Sequence, residues 1–109
     1  MVKQALEQLE SDGYGVAGFE TFSRACFQLA RDDEAHAISY FVLGVIAEWF
    51  VVHFAERPLP SSLAEAHFDR IRGYARTIET EAPKSAEDQL QAINTIILHD
   101  LRLKQSYWP

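Results

Sequence analysis

The residues of this chain whose types lend themselves to chemistry are four histidines, His36, His53, His67 and His99, and two carboxylates set among apolar neighbours, Glu48 and Asp100. Histidine binds metals and moves protons near neutral pH, so its partners decide what it does. No HExxH segment occurs, and there is no pair of ExxH segments of the kind that builds a di-iron site in a bundle. Asp33-Glu34-Ala35-His36 offers a single carboxylate at that spacing.

Histidine phosphotransfer modules are helical bundles of similar size, and they follow their histidine with a lysine three residues on and then a glycine. Here that third position holds Ser39, Arg70 or Arg102, and no glycine follows directly. Spatial convergence is a better prospect. If the helices reverse near residues 57–61 and again near 81–84, His53 lies level with positions 65 to 67, and His67 level with 99 to 100. His67 falls inside an apolar stripe and Asp100 between Ile93 and Ile96, so His53, His67 and Asp100 are expected to meet at one end of the bundle. Two histidines and a carboxylate with open positions hold iron(II) or a similar divalent ion. The plainer alternative has Asp100 accept a hydrogen bond from His67 in a partly buried pair.

Glu48 stands between Ala47 and Trp49 in a long apolar run, where a carboxylate needs a partner. Helix register points to Arg70 or to a residue of a second subunit. As a general base it lacks a visible nucleophile, which points away from catalysis. The run Gly13-Tyr14-Gly15-Val16-Ala17-Gly18 spells a dinucleotide fingerprint. That mechanism needs a preceding strand. The preceding residues, Lys3 to Glu10, are good helix formers, so the glycines read as a flexible turn.

These side chains must be positioned by helices. Residues Val2 to about Glu10 place Val2, Ala5, Leu6 and Leu9 at helical spacing, and Ala17 to Arg31 does the same with Phe19, Phe22, Cys26 and Leu29. Between Asp33 and Glu56 lies a helix apolar on two sides. Ile38, Phe41, Val45, Trp49 and Val52 line one face, and Leu43, Ala47, Phe50 and Phe54 line another nearly opposite. A helix of this kind belongs at the centre of a core or in a membrane. Glu48, His53 and Ser39 inside it argue against a bilayer. Ser62-Leu63-Ala64-Glu65 has the form of a capping box opening a fourth helix, with a stripe from Leu63 through His67, Phe68, Ile71, Tyr74 and Ala75 to Ile78. A fifth, about Ser85 to Gln105, is capped by Ser85 and carries Leu90, Ile93, Ile97 and Leu101, widened by Ile96 and Leu103. The expected fold is therefore all-α: one domain over residues 1–109, an up-and-down bundle of four main helices and a short N-terminal one around the apolar helix. No strand pattern, repeat or low-complexity segment is present.

Composition narrows the function classes. Ten Lys and Arg against 16 Asp and Glu give a net charge of −6, which excludes a phosphate-binding basic surface and so nucleic acid. It suits a soluble protein, or one with a basic partner. A single cysteine and an N-terminal stretch without an apolar signal core point to the cytoplasm. The aromatic surplus of the apolar helix, Tyr40, Phe41, Trp49, Phe50 and Phe54, exceeds what a small bundle hides easily and resembles an interface centre. The leading expectation is a non-enzymatic protein–protein interaction module, homodimeric, without cofactor. The second is a metal- or ligand-binding bundle built on His53, His67 and Asp100.

Overall fold

In the computed structural model the helical spacing becomes five α-helices, with no strand among the described residues. The structure describes residues 2–81 and 84–107, with side chains described through residue 103. The helices are α1 (Val2–Ser11), α2 (Val16–Asp32), α3 (Ala37–Phe54), α4 (Ser61–Glu81) and α5 (Ala86–Tyr107). Chain neighbours pack together, α1 on α2, α2 on α3 and α4 on α5. Helix α3 also meets α4 and α5, and α1 reaches α4. This is the all-α bundle around a central apolar helix. The sequence ends on two aromatics, Tyr107 and Trp108, expected to fold back on the bundle, and their side chains lie outside the described residues.

The glycine run is a turn between two helices. α1 closes with Asp12 N–H donating to the Gln8 carbonyl and Gly13 N–H to that of Glu10. Gly13 and Tyr14 then both take left-handed backbone, at φ 85° and 63°. That region is costly for any residue but glycine. Tyr14 is held there by its ring, which packs on Phe68 of α4 with centroids 4.6 Å apart. Gly15 sits extended at the start of α2, and no strand leads into the loop.

Two helix starts differ from the sequence reading. The long apolar helix begins later, because Glu34–His36 forms a separate 3-10 turn and α3 starts at Ala37. His36 Nδ1 and Asp33 Oδ2 lie 2.9 Å apart across that turn. The Ser62–Glu65 capping box does not form. α4 begins at Ser61, and the Pro60 carbonyl accepts from Leu63 and Ala64, so Ser62 is already inside the first turn. At α5 the expected cap is present: Ser85 Oγ accepts from the Asp88 N–H at 3.2 Å.

The tightest packing joins α2 to α3. A Cβ added at Gly44 would lie 2.6 Å from the Phe27 ring, so only glycine lets the helices approach this closely. Beside it, buried Ser23 donates its hydroxyl to the Gly44 carbonyl at 2.8 Å. Phe19, Phe22, Leu43, Phe50 and Ile71 fill the core. Cys26 is sealed among them, and burial pushes its thiol up to about 12. Only the thiolate is a good nucleophile. The expected outcome is no reaction of the native protein with a thiol-specific reagent and one equivalent of reaction after denaturation; native labelling would show that α2 opens.

Candidate interaction surface

The two apolar faces of α3 have different fates. Leu43, Ala47 and Phe50 are wholly buried and Phe54 nearly so, because this side packs against α2 and α4. The opposite side stays in water: Ile38 is 57% exposed, Phe41 53%, Trp49 43% and Val52 64%. Val45 between them is half-buried. The five side chains recur at steps of three and four and so form one ridge along the helix.

The expected interface set therefore divides. Phe41 and Trp49 lie on the exposed ridge. Tyr40, Phe50 and Phe54 do not, being core residues available to no partner without unfolding. Phe50 is the hub of an aromatic cluster: His67 stacks on it at 3.8 Å with planes 11° apart, and Phe19 and Phe54 each lie 4.9 Å away. In a helix with apolar residues all round, periodicity shows that both faces are apolar but not which one the bundle uses. Gly44 and Ser39 on the inner side were the available signal, since small residues admit a neighbouring helix.

Two apolar grooves flank the ridge. One, between α2 and α3, has a volume of about 550 Å³ and is lined by Phe27, Ala30 and Ile38 among others. The other, between α3 and α5, holds about 200 Å³, with Val42, Val45, Trp49, Ile97 and Leu101 in its walls. Phe41 lines both. Helix α5 widens the surface because only part of its expected apolar stripe is buried. Ile93, Ile96 and Asp100 are buried, whereas Leu90, Ile97 and Leu101, assigned to the core from sequence, are exposed together with Leu98. Leu101 follows Asp100 by about 100° round the helix, and here the first is buried and the second 44% exposed.

Among the described residues no group of three or more His, Cys, Asp or Glu side chains is placed to hold an ion, His53, His67 and Asp100 included. Asp100 lines the α3–α5 groove, which ends at Trp49, a turn short of His53. His53 is half-buried edge-on to Phe54, and its pKa is lowered by desolvation and then by the Arg57 charge. His67 is fully buried against Phe50, with Arg70 Nη2 2.9 Å from its Nδ1. Matching levels through the turns fixes height along the bundle but not direction around each helix, so a shared level does not by itself bring three ligands onto one ion. Glu48 is also placed differently: it is exposed at the edge of the ridge, where water satisfies it, and Arg70 turns to His67 instead. His99 of α5 meets the Tyr74 hydroxyl of α4 at 2.7 Å.

By length and composition Glu34–Phe54, with mean hydropathy 1.8, is long and apolar enough to cross a membrane, though half of its most apolar window is buried against the other helices. Fold and surface together define an acidic helical bundle with a long apolar ridge on one side. Comparison with protein-family models, with curated proteins and with solved structures finds no match.

Proposed function

We propose that this protein is a non-enzymatic, acidic α-helical interaction module that works as a homodimer through the outer face of α3. The supporting observation is the exposed ridge Ile38, Phe41, Val45, Trp49 and Val52, continued by Ile97, Leu98 and Leu101 of α5. Soluble monomers rarely expose contiguous apolar patches above a few hundred Å². At ~150–250 Å² for a large aromatic side chain, the exposed fractions of Phe41 and Trp49 alone amount to roughly 200 Å², and the aliphatic side chains beside them extend the patch. A standard interface buries about 800 Å² per partner. Charged groups sit at the margin, as in the polar rim of an interface.

The test is solution mass by light scattering after gel filtration. The wild type is expected at twice the chain mass. The double variant Phe41→Ser, Trp49→Ser is expected at the chain mass with its helical circular dichroism unchanged, because both residues lie outside the core. A wild type that stays monomeric at high micromolar concentration would sink the proposal.

A further inference from the structure

The exposed ridge reads the same in both directions. Val45 is its midpoint, Phe41 and Trp49 stand four residues to either side, and Ile38 and Val52 seven. The chemistry matches at each step: aromatic with aromatic, β-branched with β-branched, and valine at the centre. A two-fold interface makes this demand, since residue i must meet j while j meets i. We propose that the partner of this surface is a second copy of the chain, its α3 antiparallel to the first, with the two-fold axis passing beside Val45. This rests on the homodimeric interaction-module reading above and adds to it a direction and a register.

In that arrangement Val45 meets Val45 of the other copy, Phe41 meets Trp49, and Ile38 meets Val52. Each level off the axis then holds one larger and one smaller residue, so the aromatic bulk is evenly spread. The small side chain at the crossing lets the helix axes come within the usual ~8–10 Å. The groove beside Val45, walled by α5, is a hole for the aromatic knobs of the other copy. The exposed Glu48 pair lies off the axis, level with Val42 of the opposite copy. The two carboxylates are thus about six residues, ~9 Å, apart along the seam. That is near the screening length of ~8 Å at physiological salt. A parallel pair would set Glu48 beside Glu48, Trp49 against Trp49, and the two helix dipoles in the same sense.

Variants with one added cysteine test this, since the native Cys26 is buried. They are treated with a mild thiol oxidant and read on non-reducing gels, with circular dichroism confirming the fold. Val45→Cys should cross-link to itself nearly completely. Ile38→Cys and Val52→Cys should each stay largely uncross-linked alone. Phe41→Cys mixed with Trp49→Cys should give a cross-linked heterodimer well above the level of either alone.

Self-cross-linking of Ile38→Cys and Val52→Cys as efficient as that of Val45→Cys would establish a parallel pair and overturn the seam. A dimer by light scattering without cross-linking at Val45 would overturn the seam and leave the module reading standing. A monomer by light scattering, with Trp49 fluorescence shifting to the blue on adding zwitterionic phospholipid vesicles, would overturn both and assign the ridge to a lipid surface.

Discussion

Replacing Phe50 by alanine is expected to remove about 3–5 kcal/mol of folding stability, the range for deleting a buried aromatic and leaving a cavity. Phe50 is wholly buried and is the ring that His67, Phe19 and Phe54 all touch, so α2, α3 and α4 lose a shared anchor at once. Domains of this size hold only ~5–15 kcal/mol in total. Urea unfolding followed by circular dichroism reads the loss, and Phe50→Leu should cost clearly less because most of the volume is kept. Association stabilises whatever dimerises, so the comparison belongs on the monomeric Phe41→Ser, Trp49→Ser background. A Phe50→Ala variant as stable as its parent would mean that the ring cluster is not packed as described. The contrast within one helix is the point: substitutions at Phe50 should unfold the protein, whereas those at Phe41 and Trp49 should only separate its copies.

His67 should produce the second large effect. It has no exposed surface, and its Nδ1 faces the Arg70 guanidinium at 2.9 Å. A guanidinium has only donors to offer, so Nδ1 accepts and the ring carries its proton on Nε2. His67→Ala removes both the stack on Phe50 and the acceptor for Arg70. A hydrogen bond to a charged group contributes about 1.5–3 kcal/mol. With the cavity added, a total loss of about 3–4 kcal/mol is expected. His67→Phe restores the stack but not the acceptor and should recover part of that loss. If His67→Phe were no better than His67→Ala, ring packing would contribute little, and if it matched the wild type, the Arg70 contact would.

Periodicity in the sequence was enough to place all five helices and to mark α3 as their centre, because a helix must bury one stripe and α3 has two. It did not decide which stripe goes inside. That choice is made by a close approach of α2 that only Gly44 permits, and by Ser23 bonding to the Gly44 carbonyl, both contacts between residues distant in the chain. The same gap explains α5. Leu90, Ile97 and Leu101 look like core residues in isolation, but the buried set is Ile93, Ile96 and Asp100. His67 and Asp100 were recognisable as buried polar residues on inward arcs. The contact of Arg70 with His67 was not, since level along a bundle follows from loop length, whereas direction around a helix follows from packing.

The Tyr14–Phe68 contact also bears on the order in which the protein can be made. Most helix pairs here are neighbours in the chain, a topology whose low contact order favours rapid folding. The α1–α2 and α2–α3 hairpins can close while synthesis continues, because Phe19 already meets Phe50 within them. Tyr14, in its left-handed turn, must wait for Phe68, and Phe50 for His67. Until α4 leaves the ribosome, α2 alone shields the inner side of α3 and Phe50 lacks its stacked ring, so the emergence of α4 is the step that closes that side and leaves a single apolar face outward.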